Sequence, residues 1–272
     1  MNGKRSWAAL LLAGMGLALQ ACGGGDDGNL AASAEPGSAA VPGGDDSIAF
    51  KALFKPGKEP RYQLVTAGYQ TFDRLAEFEQ DASGAVIRFG DTRLAGERAV
   101  DSISGDESFA LGRWVAGNVV AKFGADSLTG NDRYHYLVFN APTAVPSAGT
   151  LTCDSGNFST PSLDNGPSTA AASGSARGRV SLRFTSPLSG FTMAGSIDVD
   201  AGNDTGSLAL DSSQVPVGGS FITHSGGIVT GGAGAAVALA DAGNGVFQLV
   251  GSYRVNTKGG ASYLGVFRLA CR

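Results

Sequence analysis

Apolar and polar residues alternate one by one along several segments in the second half of the chain. The clearest is residues 179–185, where Val180, Leu182 and Phe184 alternate with polar or charged residues. A period of two places the apolar side chains on one face of a β-strand and the polar ones on the other. Strands of this kind indicate an antiparallel sheet with one buried face and one wet face.

The same period continues along most of the C-terminal half. Residues 149–158, 191–199, 247–255 and 263–271 each predict a strand, and residues 200–204 and the pair Asn244-Gly245 are typical of hairpin turns. The chain contains 42 glycines and 10 prolines, and no long apolar segment at helical spacing outside its first 21 residues. We therefore predict an all-β, antiparallel body with many turns.

Residues 48–106 carry a weaker pattern. Residues 48–54, 62–69, 75–78 and 86–89 could each be strands, and residues 81–84 suit a hairpin loop. Residues 75–79 could instead belong to a short helix, because periodicity does not distinguish the two over so few residues. We predict a small β-rich module over residues 48–106 that precedes a larger domain over residues 107–272.

The first 21 residues have the layout of an export signal. Lys4 and Arg5 precede an apolar run of 13 residues, which ends shortly before Cys22. As a helix this run would be about 20 Å long, shorter than the roughly 30 Å hydrocarbon core, so it is a poor transmembrane span. The residues before Cys22 resemble the lipobox of bacterial lipoproteins. This resemblance implies cleavage after residue 21 and lipidation of Cys22.

Residues 22–47 form a segment rich in Gly, Ala, Ser, Pro and Asp. It has too little apolar surface to offset the entropy of ordering, so we predict a disordered tether. Gly23 follows the cysteine where inner-membrane lipoproteins would have Asp. The expected location is therefore the outer membrane, lipid-anchored and facing the cell surface, with a periplasm-facing placement as the alternative.

Two cysteines remain once Cys22 carries lipid. Cys153 and Cys271 both lie on the apolar parity of predicted strands, one early and one at the end of the C-terminal half. In an oxidising compartment a disulfide is the natural state of such a pair. If the sheet closes, the first and last strands become neighbours. We therefore predict a Cys153–Cys271 disulfide.

From about residue 111 onward the order of motifs resembles the barrel domain of the transferrin-binding protein B-like surface lipoproteins. The residues that carry the resemblance are Gly112-Arg113-Trp114 with Gly117, His135-Tyr136-Leu137-Val138, Ala141-Pro142-Thr143 with Pro146, Gly149-Thr150-Leu151, Val180-Ser181-Leu182-Arg183-Phe184 and Gly195-Ser196-Ile197. Residues 227–235 have no aromatic residue at the place where that family has a pair.

This resemblance implies an antiparallel eight-stranded β-barrel over residues 107–272. It also implies a surface lipoprotein that binds a host protein or a small ligand through loops on the barrel, in the context of iron or haem acquisition. Closure agrees with a physical argument, because a long glycine-rich sheet with few charged residues would otherwise expose its edges. The matching motifs are scaffold motifs, so no ligand-binding residue follows from them.

Charge and the missing motifs exclude several functional classes. The net charge is −4, and −6 after removal of the signal, which argues against a nucleic-acid partner. No nucleotide-binding, nucleophile-elbow or zinc-protease motif is present, so we predict no catalytic residues and no metal. We expect a monomer without a cofactor, with haem as the open alternative. The rival functions are a structural envelope lipoprotein and a hydrolase whose site assembles from distant residues.

Four features have both a structural and a functional interpretation. His135 and His224 are read as a strand residue and a loop residue, with haem or metal ligation of His135 as the alternative. Trp114 is read as a barrel or cap anchor rather than a sugar platform. Asp198, Asp200 and Asp204 are read as ordinary turn chemistry rather than as a calcium loop. The stripe of Arg177, Arg179 and Arg183 is read as a solvated face rather than as a docking surface for an acidic partner.

Overall fold

The computed structural model describes residues 50–57, 61–66, 70–75, 77–186, 190–215, 222–224 and 232–272. The signal segment, Cys22 and the tether lie outside these residues. All regular structure in the described part is β-strand, arranged in two antiparallel sheets, which confirms the predicted all-β, antiparallel class. No helix among the described residues has the length and apolar character to cross a bilayer.

The first sheet is built from the first eight strands, and its order is β2-β1-β8-β6-β5-β4-β3, with β7 paired to β6. The strands are β1 (Arg61–Thr66), β2 (Gln70–Arg74), β3 (Phe78–Gln80), β4 (Val86–Phe89), β5 (Thr92–Asp106), β6 (Phe109–Ala121), β7 (Gly124–Ser127) and β8 (Tyr134–Asn140). The two long strands β5 and β6 form a hairpin at its centre.

The second sheet contains the remaining ten strands in the order β13-β12-β11-β9-β18-β17-β16-β15, with β10 paired to β18 and β14 paired to β12. They are β9 (Gly149–Phe158), β10 (Ser162–Asn165), β11 (Ser175–Ser186), β12 (Gly190–Ala201), β13 (Asp204–Ala209), β14 (Ser212–Val215), β15 (Ile222–His224), β16 (Gly234–Asp241), β17 (Phe247–Asn256) and β18 (Ser262–Cys271).

The strands of the second sheet follow the period-two segments closely. The segments predicted over residues 149–158, 179–185, 191–199, 247–255 and 263–271 all lie within strands. Asn244 and Gly245 adopt φ angles of 55° and 75° in the turn before β17, the left-handed conformation that this residue pair tolerates. Turn chemistry and alternation therefore placed these elements correctly.

The two sheets pack face to face through an apolar layer. Phe109 and Leu111 of β6 and Phe139 of β8 face Val250 and Val266 of the second sheet in this layer. The neighbouring residues along β6 and β8 point to the opposite face of the first sheet, into a second core that contains Trp114 and Tyr136. The central strands of the first sheet are therefore buried on both faces.

The second sheet curls around a third core of its own. Leu208 of β13, at one end of the strand order, packs in the same apolar cluster as Val255 of β17 and Tyr263 of β18. Across this curl the Lys258 amide donates to the Thr205 carbonyl at 3.0 Å, and the Gly259 amide donates to Asp204 Oδ1 at 2.8 Å. The sheet is a curled half-barrel in the described part of the chain.

Two details of the sequence-based division need correction. The boundary predicted between residues 106 and 107 falls in the turn of the β5–β6 hairpin, because the first sheet extends from β1 to β8. The segment predicted as a strand over residues 48–54 forms no ladder over its described residues 50–54. Instead the Lys51 and Lys55 amides donate to the carbonyls of Gly105 and Glu107, each at 2.9 Å, and Phe54 is buried.

Candidate functional site

A groove with a volume of about 840 Å³ lies between the β6–β7 hairpin and β10. We call it the β7–β10 groove. Its walls include Asp126 and Ser127 of β7 on one side and Asp164 of β10 on the other, and Tyr134 and His135 of β8 lie between them. The volume is within the range of small-ligand sites, about 300–1,000 Å³.

Phe123 stands at the tip of the hairpin on the rim of this groove. Its side chain is 94% exposed, the most exposed large apolar side chain in the described part of the chain. Lys122 and Phe123 form the two-residue turn of this hairpin, and neither has a positive φ. Nothing in this backbone conformation requires an aromatic side chain at position 123. The Lys122 Nζ lies 5.5 Å from the centroid of the Phe123 ring. Phe123 contributes neither burial nor turn geometry to the fold.

His135 forms the base of the groove and is fully buried. Its Nδ1 lies 2.7 Å from Ser159 Oγ and its Nε2 lies 2.8 Å from Ser162 Oγ. Both ring nitrogens are therefore occupied by hydroxyl groups of the β9–β10 connection and β10. In this arrangement His135 offers no free nitrogen to haem or to a metal ion.

A buried arginine joins the two sheets beside His135. Arg113 of β6 forms a two-pronged interaction with Asp101 of β5, at 2.7 and 2.5 Å, and donates to the Thr160 carbonyl at 2.9 Å and to Ser162 Oγ at 3.2 Å. Ser102 has a φ of 53° where the β5–β6 register shifts, and its hydroxyl lies 2.9 Å from Thr160 Oγ1. These charge-assisted bonds fix β10 against the first sheet, so the groove has a rigid base.

The Ser162–His135 contact is the closest approach to a nucleophile and base in the groove, but its surroundings oppose that chemistry. Burial, followed by the charges of Arg113 and Arg133, lowers the pKa of His135 to about 3. The partner on the other ring nitrogen is a hydroxyl of Ser159 rather than a carboxylate that would stabilise an imidazolium. A histidine of this kind is a weak base at neutral pH. The geometry fits a neutral structural histidine.

The low pKa of His135 makes the stability of the fold depend on pH. Between pH 6.5 and 3 the unfolded chain binds a proton at this residue that the folded chain does not, so stability is full above pH 6.5 and falls as the pH falls. We expect wild type to lose about 2 kcal/mol relative to His135→Gln between pH 7 and pH 5. Urea unfolding of both proteins at each pH measures this difference. Parallel pH profiles would contradict it.

The charged side chains that line the groove are Asp126, Asp132, Asp164 and Arg133. Asp126 and Asp132 are exposed, whereas Asp164 forms a short ion pair with the buried Arg254, 2.5 Å between Oδ2 and Nη2. Arg133 directs Nη1 to the Asp132 carbonyl oxygen at 2.6 Å. Asp126 forms no ion pair with any of the described residues. A cation in the groove would therefore meet the Asp126 carboxylate.

The structure places Trp114 in the core of the first sheet. Its ring is fully buried, it stacks on Phe89 and Tyr134 with centroids 4.9 and 5.6 Å away, and its Nε1 donates to the Val86 carbonyl at 2.7 Å. Because the indole face is covered on both sides, it offers no platform for a sugar. Trp114 anchors the fold.

The aspartates near the β12–β13 turn serve separate structural contacts. Asp198 accepts a hydrogen bond from Ser207 at 2.6 Å, and Asp204 accepts from Thr257 and from the Gly259 amide. The Thr257 hydrogen bond is the main cause that lowers the pKa of Asp204. No group of three or more His, Cys, Asp or Glu side chains within the described ranges is placed to hold a metal ion.

The arginine stripe lies on the exposed face of β11, as its parity predicts. Arg177 Nε is 3.9 Å from Asp198 Oδ2, and Arg179 Nη2 is 4.0 Å from Asp154 Oδ2. Exposed pairs at such distances contribute little free energy. The stripe is a solvated, partly neutralised face rather than a concentrated positive patch. The side chain of His224 lies outside the described residues.

Sequence reasoning identified the cysteine pair and missed Phe123. Cys153 and Cys271 are disulfide-bonded, with sulfur atoms 2.03 Å apart, in register across β9 and β18. Cys22 lies outside the described residues. Phe123 was not found from the sequence, although an aromatic residue in a two-residue turn was a usable signal.

No family model, curated protein or solved structure matches this chain.

Proposed function

We propose that this protein is a lipid-anchored binding protein of the outer membrane that presents the β7–β10 groove to ligands at the cell surface. The observation that carries the proposal is Phe123, an almost fully exposed aromatic ring on the rim of a large groove with a rigid base. Aromatic residues are enriched in the cores of protein–protein interfaces, where binding hot spots cluster. The ligand would be a host protein or a small molecule.

The first described residues lie at the end of β6 away from Phe123. The segment of residues 51–55 binds the β5–β6 turn, next to the start of β6 at Phe109. Phe123 follows the other end of β6, which is 13 residues long. At about 3.3 Å per residue the two ends of β6 are roughly 40 Å apart. Residues 51–55 and Phe123 therefore lie near opposite ends of β6.

The proposal extends to a closed barrel of the transferrin-binding protein B-like type. Eight strands lie on the main path of the second sheet, and β9 and β18 are adjacent, as the closing strands of such a barrel would be. The two ends of the path, β13 and β15, are near neighbours along the chain. Closure of the gap between β13 and β15 would complete the barrel.

A photoreactive side chain tests the binding proposal. We expect p-benzoylphenylalanine in place of Phe123, on intact cells incubated with host serum, to give a cross-linked species that the same group in place of Val246 does not give. Val246 is the matched control because it is also an exposed apolar residue in a β-hairpin turn. Phe123→Ala should weaken binding of the captured partner by about 2 kcal/mol, or roughly thirtyfold in Kd.

Two further measurements complete this experiment. Protease treatment of intact cells should remove the protein if it faces outward and spare it if it faces the periplasm. Titration with haem should leave the Soret band unshifted if the ligand is a protein. Equal cross-linking from positions 123 and 246, or equal binding by wild type and Phe123→Ala, would refute the proposed role of the groove.

A further inference from the structure

The strand β7 presents a free edge that meets the groove at Ser127, whereas Ala125 lies outside the groove lining. Among the described residues it pairs only with β6, and all four of its residues are exposed. The Leu128 amide donates to the Gly117 carbonyl at 2.9 Å, which makes Gly117 and Leu128 a hydrogen-bonded pair. Such pairs alternate along an antiparallel ladder. The backbone N–H and C=O groups of Ala125 and Ser127 therefore point away from β6.

These outward groups are a template for another strand. An exposed row of backbone donors and acceptors recruits an extended chain, and proteins commonly shield it with a bulge, a proline or a covering loop. β7 contains no proline, and its pairing with β6 has no register shift. The Ser127 hydroxyl donates to Asn118 Oδ1 at 2.7 Å, which holds the edge in register with β6.

The groove has room for such a strand. A residue in a sheet occupies about 3.3 Å along the strand, about 4.8 Å between strands and about 10 Å through the sheet, or roughly 160 Å³. A volume of about 840 Å³ accommodates roughly five residues of extended chain. Phe123 at one end would receive an apolar side chain, and Asp126, with no ion pair from the described residues, would receive a cation.

We propose that the ligand of the β7–β10 groove is an extended polypeptide segment of alternating cationic and apolar residues, which adds as a strand to the free edge of β7. This inference rests on the proposed function and names the class of its ligand. Hydrogen bonds to Ala125 and Ser127 supply binding, Asp126 selects a cationic side chain and Phe123 packs on an apolar one. The acidic tether of this chain, which begins Gly-Gly-Gly-Asp-Asp after Cys22, is disfavoured as an occupant by its charge.

The probe is the peptide acetyl-Lys-Val-Lys-Val-Lys-Val-Lys-amide, added to the full chain purified from expressing cells. Hydrogen exchange read by mass spectrometry, with fragmentation to single residues, reports on each backbone amide. At a free peptide concentration ten times Kd, we expect the amides of Ala125 and Ser127 to exchange about tenfold more slowly. The amide of Val246, in the β16–β17 turn, is the internal control and should not change.

Two matched peptides and one variant separate strand addition from charge attraction. A peptide with alternate amides N-methylated keeps the charge and loses the donors, so we expect at least tenfold weaker binding. A peptide with Glu in place of Lys should not bind wild type but should bind Asp126→Lys. Failure of the Lys peptide to bind, unchanged exchange at Ala125 and Ser127, or equal binding of the N-methylated peptide would each overturn the inference.

The outcome also separates this inference from the proposed function. Specific cross-linking from position 123 together with unprotected Ala125 and Ser127 amides would leave a binding groove that does not use strand addition. If position 123 captures nothing and the peptide does not bind, both proposals fall.

Discussion

Removal of the Cys153–Cys271 disulfide is expected to lower the free energy of unfolding by about 4–5 kcal/mol. The bond closes a loop with a sequence separation of 118 residues, so it restricts the unfolded chain strongly in the chain-entropy model, whose value is an upper figure. It also ties β9 to the last residues of β18, where the Thr152 and Arg272 amides each donate to the other residue's carbonyl, at 2.8 and 2.9 Å.

The double variant Cys153→Ala/Cys271→Ala measures this effect by urea unfolding. Wild type treated with dithiothreitol should lose a similar amount of stability, which serves as a control for the small cavity left by the alanines. Thiol titration of the unfolded, unreduced and acylated protein should find no free thiol. Two reactive thiols, or a double variant as stable as wild type, would be incompatible with this disulfide.

Replacement of Trp114 by alanine is expected to lower the free energy of unfolding by about 3–5 kcal/mol. The ring is fully buried between Phe89 and Tyr134, so its removal leaves a cavity in the core of the first sheet. It also leaves the Val86 carbonyl without the indole donor. Both effects weaken the packing of β4 and β8 on β6.

Two matched variants separate the causes in this case. Trp114→Phe keeps most of the ring and loses the donor, so we expect a smaller loss, about 1–3 kcal/mol. Phe123→Ala truncates an exposed aromatic residue, and its stability should stay within about 0.5 kcal/mol of wild type. A Trp114→Ala protein that unfolds within 1 kcal/mol of wild type would show that the stacked core contributes little.

The candidate site was only partly accessible from the sequence. His135, Arg113 and Ser162 lie on β8, β6 and β10, and nothing in their spacing indicates that they meet. The groove depends on how the β6–β7 hairpin stands beside β10, which belongs to the other sheet. Contacts between residues far apart along the chain leave no local pattern, so sequence reasoning could not find this arrangement.

Alternation along the chain determined the strands of this protein. Each strand has a period of two because successive side chains point to opposite faces, and this geometry is local. The segments of β9, β11, β12, β17 and β18 were therefore visible in the sequence, as were the turns with Asn244-Gly245 and with Gly202. The parity of Cys153 and Cys271 was visible for the same reason.

The tertiary structure alone decided which faces meet water. Arg254 and Arg268 stand on the face of β17 and β18 opposite to Tyr253 and Phe267, and both are buried. Arg254 is matched there by Asp164, and Arg268 by Gln248 and by the ring of Phe109, 4.9 Å away. A strand's own residues fix its two faces. What covers each face depends on the packing of distant segments, because burial is a property of the assembled sheets.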